Sequence, residues 1–170
     1  MRQSDSPLSK TGQQYKRDKK MAEIIPVGSN SGITRKDPVD GVEKIIVVLI
    51  SAGVLIDFLQ LIVQKGNDLL ALSHHGGDGG HLTPFLLASD EHLTGITGRY
   101  GIYIDSMVLQ TNKRTSQRFG GSGGDKEYSI QAKRGEQIIG LWCRSDTYID
   151  AIGAITAPAP QYLNGAIKIT

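Results

Sequence analysis

The chain has one cysteine, Cys143, so no disulfide can form within it, and its stability must come from packing and hydrogen bonding. Large apolar aromatics are scarce, with three Phe and one Trp among 170 residues, so the core must rest on Ile, Leu and Val. A formal net charge of +2 excludes the strongly basic character of a nucleic-acid or anionic-membrane binder. The polar and basic residues 1–22 lack the apolar stretch that follows the charges of a secretory signal. They are expected to be a disordered leader, which points to a cytoplasmic or non-classically secreted protein. No segment sustains a 3.6-residue apolar period, so helix is expected to be scarce. What is abundant is glycine, 21 residues, alongside 39% hydrophobic content and a mean hydropathy of −0.20. Many tight turns joining short apolar strands favour an all-β fold.

One apolar run needs separate treatment. Residues 42–63, VEKIIVVLISAGVLIDFLQLIV, are hydrophobic enough for a membrane helix even with Asp57 near the middle, where it would cost about 2.5–3.5 kcal/mol. The run is rich in β-branched residues, however, and Ser51-Ala52-Gly53 interrupts it as a turn would. It is therefore expected to be two strands joined at Gly53, with no membrane span.

The chain repeats itself. Ile96–Asp105 reads ITGRYGIYID and Leu141–Asp150 reads LWCRSDTYID; a fainter copy, AGVLID, ends at Asp57. Glu43, Glu91 and Glu136 each stand fourteen residues ahead of these aspartates. Gly32, Gly80 and Gly124 close three small-residue loops, GSNSG, GGDGG and GGSGG, eleven or twelve residues earlier still. The period is 44 to 48 residues. A fixed period on this scale means one supersecondary unit copied along the chain. Each unit is expected to hold about four short strands. Residues 23–41 are expected to give one short strand and a long polar turn, Asn112–Gly124 a long loop, and Ala157–Thr170 a tail with a possible extra strand at Ala166–Ile169.

In every unit an Asp ends a tight loop, at Gly53–Asp57, Gly101–Asp105 and Asp146–Asp150. Such a loop directs backbone N–H groups one way and sets a two-oxygen acceptor beside them. A facing glycine loop lets backbone come close. Converging donors and acceptors suit the neighbouring hydroxyls of a hexose. The bland alternative is that each Asp only ties down its own turn. His74, His75, Asp78 and His81 lie in a glycine-rich stretch whose spacing matches no zinc pattern, so no metal or cofactor is expected. No nucleophile and base stand in a recognisable order, and the three aspartates are expected in separate pockets, so no enzyme is expected.

The motifs HHGGDGG, GITGRYG, TNKRTSQRFGGSGG and IIGLWCRSDTYIDAIG resemble those of the jacalin-related lectins, over Ile25 to Ile155. The closing R-S-x-x-Y-I-D-A-I-G is the most specific of them. The resemblance implies a β-prism of type I: three four-stranded Greek-key sheets with pseudo-threefold symmetry, spanning residues 23–156. It implies a sugar site at Gly32, the backbone of Thr147 and Tyr148, and the side chain of Asp150. Some mannose-specific members use a second site, which falls here on Val54, Leu55 and Asp57 facing Gly79 and Gly80. Symmetry extends this to Ile102, Tyr103 and Asp105 facing Gly123 and Gly124. The chain departs from the family at Asp146 and Cys143, where glycine is usual, and in GSNSG, which is poorer in glycine. Galactose-preferring relatives depend on a chain cut that frees an amino terminus at the first glycine loop. Here the chain runs into that loop without an evident cleavage signal, as in the mannose/glucose-preferring branch. The implied partners are mannose- or glucose-containing glycans, with homo-oligomerisation expected. The alternative is a non-catalytic β-prism interaction module that has lost sugar binding.

Overall fold

The run from Val42 to Val63 folds as a hairpin. A computed structural model, describing residues 20–163 and 166–167, pairs β3 (Lys44–Ala52) antiparallel with β4 (Ile56–Lys65), with Ser51 opposite Phe58 and Ala52 opposite Ile56. The Gly53 N–H closes the turn on the Leu55 carbonyl at 3.0 Å. No helix among the described residues is long and apolar enough to cross a membrane. Apolar side chains cover both faces of this hairpin because one face meets the core and the other is only partly wetted.

The same hairpin occurs twice more. Strands β8 (Leu93–Tyr100) and β9 (Ile104–Thr111) pair with Tyr100 opposite Ile104, and the Gly101 N–H donates to the Tyr103 carbonyl at 3.0 Å. Strands β12 (Glu136–Ser145) and β13 (Ile149–Pro158) pair with Ser145 opposite Ile149, and the Asp146 N–H donates to the Tyr148 carbonyl at 3.1 Å. All three hairpins shift register just before the turn, at Ser51/Ala52, Arg99/Tyr100 and Arg144/Ser145. Such bulges bend a strand and re-aim the side chains beyond them. The residue after each turn, Ile56, Ile104 or Ile149, is fully buried. Successive side chains alternate across a strand, so this isoleucine anchor turns the following Asp to the opposite face.

Each hairpin is the centre of one sheet. The first has the order β1-β13-β12-β2, with β1 (Ala22–Gly28) and β2 (Ile33–Lys36) from the start of the chain closing onto its last hairpin. The second has β5 (Asp68–Ala71) and β6 (His75–Gly76) in series along one edge of β4, and β7 (His81–Leu86) along β3. The third has the order β10-β9-β8-β11, with β10 (Phe119–Gly120) and β11 (Lys126–Gln131) at its edges. These three antiparallel sheets, with no helix among the described residues, are the expected all-β prism. Ile45, Ile50, Leu59, Leu61, Leu93, Met107, Leu109, Ile138 and Ile152 are at most 1% exposed and fill its interior. Burying each such side chain contributes about 1.5–3 kcal/mol.

Some expectations need correcting. Ile33–Lys36, assigned to a polar turn, is the edge strand β2, and all four of its residues are exposed. An edge strand with neither face buried carries no apolar alternation to betray it. The long loop at 112–124 contains β10, only two residues long, and a bridge from Thr115 to Gln110. The assigned tail begins late, because Ala157 and Pro158 still belong to β13. Beyond it, β14 (Tyr162–Leu163) and β15 (Ala166–Ile167) form a small hairpin of their own rather than an extra edge strand of the prism. The Tyr162 hydroxyl meets His92 Nδ1 at 3.2 Å. The expected leader, for residues 1–19, and the last residues of the tail lie outside the described residues.

Candidate functional site

Three candidate sites of one design lie where each glycine loop meets the turn of a hairpin in its own sheet. The second N–H of each loop is tied to the backbone of the aspartate: Ser29 to the Asp150 carbonyl at 3.0 Å, Gly77 to Asp57 at 2.9 Å, and Gly121 to Asp105 at 3.0 Å. The closing glycines Gly32, Gly80 and Gly124 have φ of +81°, +78° and +83°, a left-handed conformation that a side chain would strain. They also leave room for the carboxylate. A Cβ on Gly32 would stand 2.5 Å from Asp150 Oδ2, on Gly80 2.6 Å from Asp57 Oδ2, and on Gly124 2.9 Å from Asp105 Oδ2. Gly79 and Gly123 approach the other oxygen, each with its Cβ position 2.5 Å from Oδ1 of Asp57 or Asp105. Each aspartate therefore faces its own glycine loop.

The turns themselves stand at the surface. Val54 is 80% and Ile102 72% exposed, Thr147 is exposed, and Leu55, Tyr103 and Tyr148 are half-buried. The pockets are neighbours rather than remote from one another. A Cβ on Gly77 would stand 2.7 Å from the Thr147 carbonyl oxygen, and one on Gly121 2.6 Å from that of Val54. The rings of Tyr103 and Tyr148 lie 4.9 Å apart and tilted by 58°.

The residue six positions ahead of each aspartate has a part that sequence reasoning missed. Arg99 Nε donates to the Gly124 carbonyl at 3.0 Å, and Arg144 Nη1 reaches the Gly32 carbonyl at 3.5 Å. In the second sheet Ser51 takes this place, and its hydroxyl donates to the Gly79 carbonyl at 2.5 Å. The shared Arg of the repeat was the available signal. Asp150 is 3% exposed; burial raises its carboxyl above the ordinary carboxylate range, Asp146 adds to this, and Arg144 opposes it.

The histidine-rich stretch is split up. His75 is fully buried with Nε2 3.0 Å from Asp37 Oδ1, while His74 is exposed and stacks on Phe58 with ring centroids 6.2 Å apart. Among the described residues no group of three or more His, Cys, Asp or Glu side chains is placed to hold a metal ion. Cys143 is fully buried, and its burial pushes the thiol pKa up, the reverse of what an attacking thiolate needs.

Comparison with known proteins places this geometry in a family. The chain is 33% identical over 145 residues to jacalin-related lectin 22 of Arabidopsis thaliana, covering 78% of this chain and 30% of that lectin. It is 30% identical over 138 residues to the jacalin-related lectin Calsepa of Calystegia sepium, covering 75% of this chain and 90% of Calsepa. The chain thus spans less than a third of the length of the Arabidopsis lectin and nearly all of Calsepa's. Among solved structures, Malaysian banana lectin superposes with a TM-score of 0.73 at 26% identity, covering 82% of this chain and 99% of that one. The jacalin-like lectin domain family matches residues 24–155, which takes in all three hairpins and all three glycine loops, and the chain belongs to that family.

Proposed function

We propose that the domain binds mannose- and glucose-type glycans through these pockets, up to three per chain, without metal or cofactor. One observation carries the reading: three carboxylates each face glycines that close a loop, and the Cβ positions of those glycines lie 2.5–2.9 Å from carboxylate oxygen. A carboxylate so placed accepts from two neighbouring sugar hydroxyls, and charge-assisted bonds of this kind are the stronger sort. Backbone N–H groups of the turn donate to the same hydroxyls. Family membership supports carbohydrate as the ligand. The mannose/glucose preference is supported by the sequence ahead of the first glycine loop, which carries no evident cleavage signal. The turns stand at the surface, so one sugar is held at about millimolar affinity, roughly −4 kcal/mol. Several pockets and self-association of the chain raise the avidity for a multivalent glycan.

Calorimetric titration with methyl α-mannoside and methyl α-galactoside tests this. Saturable binding of the mannoside, with the galactoside weaker, is the expected result. No heat and no NMR shift with any hexose at tens of millimolar overturns it. That outcome favours the interaction-module reading, for which the exposed apolar tips at Val54 and Ile102 are the structural support.

A further inference from the structure

The three pockets share one plan but differ in how open they are. The fourth loop position is Ser31 in the first, Gly79 in the second and Gly123 in the third. The first loop also carries side chains at Ser29 and Asn30, and its aspartate is shut in. Asp150 Oδ2 is sealed from solvent and accepts no hydrogen bond. Asp57 is 6% exposed. Asp105 is the one of the three that is partly open to solvent.

At Asp105 the surface forms a cleft of about 390 Å³. Leu55, Ile102 and Tyr103 line it with apolar surface, and Asp105 and Asp125 line it with carboxylates. Leu55 comes from the hairpin of the second sheet, so the cleft is wider than its own loop and turn. The carboxylates of Asp105 and Asp125 converge on Gly101, whose Cβ position would be 3.8 Å from an oxygen of each. At the place of Asp125 the other two units have Ile33 and His81. A carboxylate just after the glycine loop is thus peculiar to this pocket, whereas the second carboxylate near Asp150 is Asp146 of the turn. Its volume falls within the roughly 300–1,000 Å³ of small-molecule clefts, and it lies open to solvent, so a ligand longer than one hexose can lie across it.

We propose that the pocket around Asp105 is the principal sugar site of this chain and that it takes a disaccharide. Resting on the functional reading above, the first ring is gripped by Asp105 at the Gly123-Gly124 loop. The second ring lays its C–H face on Leu55 and Ile102 and donates a hydroxyl to Asp125. The apolar surface meets the carbon face of the ring, and the carboxylates meet its alcohols.

The test titrates ¹⁵N-labelled wild-type protein and the Asp105→Asn, Asp150→Asn and Asp125→Ala variants with methyl α-mannoside and with an α-linked mannobiose. Amide spectra confirm that each variant is folded. Wild type is expected to prefer the mannobiose by about fivefold or more, with shifts centred on Gly101 and Asp125. Asp105→Asn is expected to weaken it by about tenfold or more, and Asp150→Asn by less than about threefold. Asp125→Ala is expected to shrink the preference for the mannobiose. If Asp150→Asn abolishes binding while Asp105→Asn does not, the assignment of the principal site is overturned and the lectin function stands. Equal wild-type affinity for the two ligands overturns the disaccharide assignment. If wild type binds neither ligand, it is the functional reading itself that fails.

Discussion

Glu91 offers a quantitative test of what holds the prism together away from the pockets. It stands just ahead of β8, one strand length from the turn that ends at Asp105. It is 2% exposed. Its carboxylate accepts from the Ala88 N–H at 3.0 Å, Thr111 Oγ1 at 2.7 Å, and Arg114 Nε at 2.8 Å and Nη2 at 3.3 Å. Burial alone would raise its pKa; the bonds from Arg114, Thr111 and Ala88 outweigh that and bring it from 4.5 to about 2. Between those values the unfolded chain binds a proton that the native chain does not. Stability from this group is therefore complete above about pH 4.5 and is lost as pH falls to about 2. At about 1.4 kcal/mol per pKa unit, the gap corresponds to about 3 kcal/mol. Glu91→Gln keeps the shape and one acceptor but removes the charge facing Arg114. At pH 7 it is expected to cost about 2–3 kcal/mol, which lowers Tm by about 5–10 °C. Melting followed by circular dichroism at pH 7, 4.5 and 2.5 checks this. The two melting points should draw together as pH falls, and sugar affinity at pH 7 should not change. A wild-type Tm in the variant at pH 7, or a gap that stays constant down to pH 2.5, refutes the reasoning.

Two further substitutions probe the loops and the buried frame. Gly123→Ser places a Cβ 2.5 Å from Asp105 Oδ1 and gives the third loop the residue found at Ser31 of the first. Sugar binding at that pocket is expected to fall about tenfold or more, with unfolding stability changed by less than about 1 kcal/mol; NMR titration and urea unfolding read the two effects, and unaltered affinity counts against the glycine requirement. Asp37→Ala removes the buried carboxylate that accepts from the Leu141 N–H at 2.9 Å and faces His75 Nε2 at 3.0 Å. Stranding both groups is expected to cost about 3 kcal/mol in urea unfolding, and a loss below about 1 kcal/mol would show that the pair contributes little.

Repetition made the prism legible in the sequence. Glycine, glutamate and aspartate landmarks at a constant period marked out three units, and the turn at Gly53 settled the one run that resembled a membrane helix. The glutamate landmark proved to be structural, since Glu91 bonds the neighbouring Ala88 N–H and Glu136 accepts from Thr156 Oγ1 at 3.3 Å. Strands β2 and β10 escaped because one is exposed on all its residues and the other is two residues long. A pattern of alternating burial cannot arise where nothing is buried. The residues of the third pocket were half legible. Ile102, Tyr103 and Asp105 follow from the repeat, but Leu55 and Asp125 do not. The repeat marks Leu55 for the second site alone, since it enters the third from the hairpin of another sheet, and Asp125 departs from the repeat.

The same contrast explains how one pocket design can diverge without endangering the fold. The frame is set by the turn-closing bonds, the bulge before each turn and the buried isoleucine after it, and these are alike in all three sheets. The bond that steadies the last part of each glycine loop is not alike, since Arg99, Arg144 and Ser51 supply it from different chemistry and at different lengths. Arg99 is also held by Glu127 at 3.1 Å, which fixes the guanidinium in place for Gly124. The contact from Arg144 to Gly32 is longer and fixes its loop less firmly. Loop position four varies in the same way, and so does the residue after the loop, where Ile33 and His81 open β2 and β7 while Asp125 stands just ahead of β11. Changes at these places alter carboxylate exposure and cleft shape while leaving the hairpins intact. A prism built from three copies can therefore hold one pocket open and let another close, which is the asymmetry seen between Asp105 and Asp150.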